Sequence, residues 1–559
     1  MALGLSRRTS TGERMTIQYS GNLLVKVRNR PFASLLAGPQ PLAIPGYRLA
    51  PLFKAHHATA MFAASQPADH WLAAAANAGR DLHPWDEAHR VTRSAQYAIY
   101  VEPDLLQEAP EVPAAPEAAA QQGFDQDWPP ASLVSPGWHL AEGFTGFEKV
   151  RAIATGNGVR IAHLDTGYWP PQVSTPRHIR RDLGYNFYEN NTNTTDPGTG
   201  GLLRNPGHGT ATLAIVSGNA VDLIYQGKQY TGDIGGAPDA EVVPVRIGPS
   251  VIHFFSSAMA QGMDYALGPS GSPTHPNPAN KCDVVTISHG GLPSESWADA
   301  VNNLYDAGVV IVAAAGDNYS QLPTHLTVYP SAFNRVVTAV GATYDKTPYV
   351  TRKIGELQGN WGPDDVMDKA IAAYTPNVAW MLFRTTDGFD MDGAGTSAST
   401  PQIAAACALW IQLYGANYTA GWQRVEACRL ALFRSADPGN GSATYLGRGI
   451  LDVPKMLDPG LAAQIQQEFR ANQVQSSPVD SVSFPFLRLL LHAGPPGSEE
   501  ERMYETEAAQ LVRRSTNQEL VDGFHDFMRG GALMPARITR LRQLLKAEPG
   551  ISDALAARL

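Results

Sequence analysis

Between residues 136 and 458, short unbroken apolar runs alternate with longer stretches of helical pattern. They include VRIAHL at 159–164, EVVPVR at 241–246, DVVTI at 283–287, VVIVAA at 309–314 and VVTAV at 336–340. A strand that is apolar at every position is buried on both faces, so these runs predict a mostly parallel sheet between helical layers. Residues 15–106 carry a sparser pattern that predicts a small α/β unit. LLVKV at 23–27 reads as a strand. The alanine-rich stretch 69–78, with Trp71 and Leu72, reads as a helix stopped by Gly79. Residues 84–91 read as a second helix with Pro84 in its first turn, and 97–101 as a strand ended by Glu102-Pro103-Asp104. From 459 to the end the pattern is helical, with capping boxes at 498–501 and 516–519.

The segments between these units differ in composition. QEAPEVPAAPEAAAQQG at 107–123 is too rich in Pro, Ala and Glu to bury much surface, which predicts an extended linker over 107–135. Residues 1–14 read as a disordered N-terminus. The expected division is therefore 1–14, an α/β domain at 15–106, the linker, a large α/β domain at 136–458 and a helical domain at 459–559. Over the 559 residues, 43% are hydrophobic and 17% charged, so a core can form and wholesale disorder is excluded. The net charge of -9 argues against nucleic acid or an anionic membrane as partner. Three cysteines, Cys282, Cys407 and Cys428, rule out a disulfide scaffold. No run approaches the roughly 18 apolar residues of a membrane span, and the first residues lack a signal-type apolar stretch. The expectation is a cytoplasmic protein, or a secreted one if translation starts elsewhere.

Three segments could carry chemistry. HLDTG at 163–167 ends a strand in an acid and a glycine turn. GHGTA at 207–211 places a histidine between glycines at the start of a helix. GTSASTP at 395–401 sets a serine in a glycine-rich turn before a helix over 402–414. Singly, each is an ordinary turn or cap. Together they supply a nucleophile, a base to take its proton, and an acid to orient the base. No HExxH, CxxC or phosphate-loop motif occurs, His56-His57 has no third ligand nearby, and Asp165-Thr166-Gly167 lacks the second such loop of an aspartic peptidase.

In their order Asp, His, Ser, the three boxes resemble those of the subtilases, the subtilisin-like serine peptidases. The resemblance extends through GAPDA at 236–240, DVVTISHGG at 283–291 and VIVAAAGDN at 310–318, and covers about 136–458. It implies a three-layer α/β catalytic domain and a serine endopeptidase. Ser397 would be the nucleophile, His208 the general base and acid, and Asp165 the orienting acid. Ser288, His289 and Gly290 would pair with the substrate backbone. Ala314, Ala315 and Gly316 would wall the pocket before the cleaved bond. The oxyanion hole would fall at Asp317, where the family has Asn, with Asn318 next to it. Further departures are Ala398, where Met is common, and Thr375-Pro376-Asn377. The first domain resembles the subtilase prodomain, through WDEAH at 85–89 and VEPD at 101–104, and would act as an intramolecular inhibitor. The expected partners are polypeptide substrates, this prodomain and, for the C-terminal helices, an unidentified protein. No cofactor and no metal ligand set is expected. Loop 190–201 is where a structural calcium of the family's kind would be sought, a solvated loop being the plainer reading. The alternative function is a pseudopeptidase that binds peptides without cutting them, favoured by Asp317 alone.

Overall fold

The computed structural model describes residues 3–8, 14–30, 43–56, 68–77, 82–95, 97–108, 135–198, 205–251, 253–319, 325–350, 357–492 and 497–559. The N-terminal part runs β1 (Leu3–Arg8), β2 (Arg14–Arg30), β3 (Tyr47–Pro51), β4 (Ala68–Ala76), α1 (Pro84–Ser94) and β5 (Ala98–Glu108). The central part holds β6 (Arg160–Asp165), β7 (Tyr185–Asn186), α2 (His208–Ser217), β8 (Glu241–Arg246), β9 (His253–Phe255), α3 (Ser256–Tyr265), β10 (Val284–Ile287), α4 (Glu295–Asp306) and β11 (Val310–Ala314). It continues with β12 (Asp317–Tyr319), β13 (Val337–Ala342), β14 (Leu357–Gly359), β15 (Ala370–Tyr374), β16 (Val378–Met381), β17 (Phe389–Gly393), α5 (Thr396–Tyr414) and α6 (Gly421–Ser435). The chain ends in α7 (Pro459–Arg470), α8 (Pro485–Leu491), α9 (Glu499–Arg514), α10 (Gln518–Met528), α11 (Pro535–Lys546) and α12 (Asp553–Arg558).

Seven parallel strands form the central sheet in the order β15-β13-β11-β10-β6-β8-β7. Successive residues of each strand go to opposite faces. Ile161, Val242, Val284, Val310 and Val312 join the core beneath α2, α5 and α6. Ala162, Val243, Val285, Ile311 and Ala313 join the core beneath α3 and α4. This explains the unbroken apolar runs, because both faces of the sheet are covered. The second core continues through α3 and α4 into the N-terminal domain, where Leu23, Val25, Trp71 and Val101 belong to it.

The N-terminal sheet has the order β9-β5-β2-β4-β3, with β1 paired to β2. Its edge strand β9 comes from the central part, antiparallel to β5 with His253 opposite Glu108. The domain also supplies two helix caps. Neither α3 nor α4 is capped by its own N-cap side chain. Asp104 accepts from the Ser257 N–H at 2.8 Å, at the start of α3. Glu102 accepts from the N–H groups of Glu295 and Ser296 at 2.9 and 3.1 Å, at the start of α4.

Several expectations are corrected. Residues 1–14 are not wholly irregular: 3–8 form β1, with Leu3 opposite Tyr19. The alanine-rich stretch 69–78 is not a helix but lies largely in β4, between β2 and β3. Alanine intrinsically favours helix over strand, and burial of Trp71, Leu72 and Ala74 against partner strands overrides that preference. Gly79 falls outside the described residues. The last N-terminal strand does not end at Glu102-Pro103-Asp104 but runs to Glu108, because Pro103 opposes Leu23 and the next residues pair with β9. Gln107 and Glu108 therefore belong to a strand, and 109–134 lie outside the described residues. The boundary at 458 also moves: α7 packs on α6, with Ile465 fully buried in the core of the central part.

Candidate active site

Asp165 ends β6, which lies inside the sheet between β10 and β8, and His208 opens α2. The two turns touch so closely that a Cβ on Gly209 would collide with the Gly167 carbonyl oxygen. His208 Nδ1 lies 2.8 Å from Asp165 Oδ1, and both side chains are buried. The other Asp165 oxygen accepts from Thr212 Oγ1 at 3.0 Å. Burial alone would raise the Asp165 carboxyl, but the charges of His208 and His289 and the His208 hydrogen bond outweigh it and hold it far below the usual carboxylate range. His208 Nε2 has no hydrogen-bond partner among the described residues. Trp380, on β16, packs against the ring at 5.5 Å between centroids.

The helix expected over 402–414 starts at Thr396, so Ser397 lies in its first turn with Pro401 inside the helix. Pro401 has no N–H to donate back to the Ser397 carbonyl. Ser288 Oγ donates to that carbonyl instead, at 3.2 Å, and Ser397 Oγ donates to the Ser288 carbonyl at 3.3 Å. Gly395 precedes the helix at φ +79°, where a Cβ would meet Asp317 Oδ2 at 2.8 Å.

Asp317 Oδ1 accepts from the Thr396 N–H at 2.8 Å, and Oδ2 lies 3.3 Å from Thr396 Oγ1. Both oxygens thus face the start of α5, and burial pushes the carboxyl up to about 6. Asn318 points elsewhere. It donates to Asn360 Oδ1 at 2.5 Å and accepts from Gln358 Nε2 at 2.9 Å, within a buried amide ladder of β12 and β14. The expectation that Asn318 joins the oxyanion hole is therefore corrected: its side chain is held in this ladder by both its oxygen and one N–H of its amide.

Ser288 and His289 follow β10 and are buried, whereas Gly290 is half-buried. A Cβ on Gly290 would collide with Val328. The pairing expected of 288–290 concerns their backbone, and the His289 side chain turns inward. Its Nδ1 sits 3.9 Å from Asp165 Oδ2, and its ring meets His208 edge-on at 5.7 Å. Burial pushes His289 and His163 down to about 4, so both are neutral near pH 7. Ala314 and Ala315 are also buried, with the Ala315 amide and carbonyl spent on Ala339 and Val328. Of that expected wall, the half-buried residue is Gly316.

Sequence reasoning missed Asp196. Its carboxylate accepts from Thr166 Oγ1, Gly207 N and Gly198 N at 2.7, 3.0 and 2.7 Å, tying the Asp165 turn to the His208 turn. Among the described residues of loop 190–201 it is the buried carboxylate, and its two oxygens accept from three protein donors. An acid directly before a Pro-Gly pair reads as an ordinary turn residue and gave no signal of this role. Gln107, also missed, accepts from the Leu292 N–H at 2.9 Å and donates to Ser256 Oγ at 2.9 Å. The end of β5 is thereby held between β9 and the segment after Gly290.

Residues 156–449 match the profile of the subtilase family, peptidase family S8, and the chain belongs to that family. It is a serine endopeptidase with the family's α/β fold. It is 25% identical to subtilisin DY of Bacillus licheniformis over 304 residues, 53% of this chain and 90% of that one. It is likewise 25% identical to thermitase of Thermoactinomyces vulgaris over 316 residues, 56% of this chain and 94% of thermitase. A solved protease from Pseudoalteromonas arctica aligns at 23% identity and a TM-score of 0.46, covering 58% of this chain and 96% of its own.

Proposed function

We propose that the protein cuts peptide bonds through an acyl-enzyme on Ser397, with His208 as base and acid and Asp165 holding His208. The observation that carries this reading is the buried 2.8 Å Asp165–His208 pair, which leaves His208 Nε2 free to take a proton. Rotation about the Ser397 Cα–Cβ bond exchanges its contact with Ser288 for one with that nitrogen. Ser397 Oγ then bonds to the substrate carbonyl carbon as its proton passes to Nε2. His208 returns the proton to the leaving amine as the C–N bond breaks, and water, deprotonated by His208, hydrolyses the ester. The oxyanion meets the Ser397 N–H, one of the first-turn amides with no partner inside its helix. The substrate backbone lies between β9 and Gly290, an edge position suited to strand addition.

The N-terminal domain acts as an intramolecular inhibitor, since the end of β5 already occupies β9 and reaches the segment after Gly290. The unburied composition of the linker favours self-cleavage between Asp104 and Pro136, and the pairing of β5 as far as Glu108 leaves 109–134 for it.

The test is labelling by a fluorophosphonate probe, with mass spectrometry to locate the adduct. The expected outcome is modification of Ser397, and loss of labelling and of hydrolysis in Ser397→Ala, where removing a triad member costs on the order of 10⁶ in turnover. A folded chain that binds peptide but takes no label at Ser397 would instead be a pseudopeptidase, the reading favoured by the Asp317 carboxylate beside the nucleophile turn.

A further inference from the structure

The N-terminal domain is gripped from two sides. One face of its sheet lies on α3 and α4, through the caps made by Glu102 and Asp104. On the other side, α1 is covered by the C-terminal helices. Trp85 Nε1 donates to Gln510 Oε1 at 3.1 Å, and Gln510 Nε2 donates to the Pro293 carbonyl at 2.8 Å, so one side chain joins three parts of the chain. The His89 ring stacks on Tyr504 at 4.2 Å between centroids. Tyr100 OH donates to Thr506 Oγ1 at 2.9 Å. Asp86 accepts from the N–H groups of Asp553 and Ala554 at 3.1 and 2.8 Å, so an N-terminal acid caps the last helix. The tail is anchored to the catalytic part as well. Asp480 and Asn302 exchange backbone and side-chain hydrogen bonds at 2.8 and 3.0 Å, and Arg513 donates to the Thr327 carbonyl at 2.8 Å.

From this geometry we infer that the C-terminal helices are a clasp that keeps the N-terminal domain bound after the chain between them has been cut. The inference rests on the proposed function only in that scission and inhibition give the clasp its use. Once segment 109–134 is severed, the N-terminal domain has no covalent link to the rest. The tail remains joined to the catalytic part through 471–484, so its face of α1 is presented at high effective concentration. A second attachment of this kind strengthens retention by about 10²–10⁴ without altering the first. Scission alone then leaves a latent enzyme, and activity appears when the clasp is displaced.

The test separates retention from catalysis. A recognition site for an unrelated sequence-specific protease is inserted within 109–134 of the full chain carrying Ser397→Ala, and the purified protein is cut and diluted. Retention of the N-terminal fragment is followed by size exclusion. The expected result is co-elution in the parent, and at least tenfold faster loss in a Tyr504→Ala, Gln510→Ala double variant. Asp86→Ala, a milder change at the edge of the contact, serves if the double variant misfolds, and should release the fragment faster than the parent. Equal dissociation from the parent and the folded variants overturns the clasp. The same substitutions in the active chain should shorten the lag before peptide hydrolysis. If Ser397 takes no label there, the proposed function fails while the retention result stands.

Discussion

At the scale of single residues, the site depends on where each carboxylate finds its donors. Asp165 has His208 and Thr212, and Asp196 has three donors that tie two turns together. Asp317 has the first amide of α5, where a negative charge suits the helix N-terminus but opposes an anion forming on Ser397's substrate. With a value near 6, Asp317 is mostly neutral at pH 5 and charged at pH 8. Asp317→Asn keeps an acceptor for the Thr396 N–H and removes that charge. It should raise turnover at pH 8 about tenfold, a fraction of what a full oxyanion donor supplies, and change little at pH 5. Profiles of kcat against pH for parent and variant read this directly, and a variant slower at pH 8 would show that the carboxylate itself is needed. The triad was legible because its members sit in glycine-marked turns whose spacing survives in sequence. Asp196, Thr212 and the inward turn of His289 were not, since they acquire meaning only when loops distant in sequence meet at Asp165.

At the scale of elements, the parallel strands announced themselves through their unbroken apolar runs, whereas β4 did not. Its alanines carry no preference strong enough to outweigh pairing with β2 and β3. The length of β5 was hidden for a related reason: its Pro-containing end is stabilised by β9, about 150 residues away in sequence. In the tail, α9 was legible from its Ser498 cap, whereas α10 is capped by Asn517, one residue after the expected Thr516, and the destination of neither was legible. Glu507 shows what holds α9 to α12. It is buried and accepts from Ser552 N and Oγ at 2.7 and 2.8 Å. Burial first, with a smaller contribution from the Asp86 charge, pushes it up to about 8. The folded value lies above the ordinary one of about 4.3. Its contribution to stability is therefore full below about pH 4 and is lost as pH rises through 8. Hydrogen exchange of α12, corrected for intrinsic rates, should accelerate at least tenfold between pH 6 and 9. Glu507→Gln should flatten that dependence, and an equally steep response in the variant would place its origin elsewhere.

At the scale of the whole molecule, the layers run from α5 and α6 through the central sheet to α3 and α4, then to the N-terminal sheet, and finally to α1 under the tail. Where the enzyme proper ends follows from these layers. A chain stopped at Asp458 loses α7 and uncovers the seat of Ile465 and Phe469 on α6. A chain stopped at 472 keeps both. Thermal melting should place the shorter chain lower, by roughly 2–5 kcal/mol for the loss of a fully buried aliphatic side chain and its neighbours. Equal melting would return the boundary to 458. The shared strand β9 has a wider consequence. Three residues of the catalytic part complete the sheet of the domain that, under the proposed function, restrains it, and they cannot serve a bound peptide at the same time. Occupancy of that edge is thus a thermodynamic linkage: the factor by which a peptide loosens the domain equals the factor by which the domain weakens the peptide. Abundant substrate would then promote its own hydrolysis by mass action, giving the cut enzyme a threshold set by the amount of polypeptide around it.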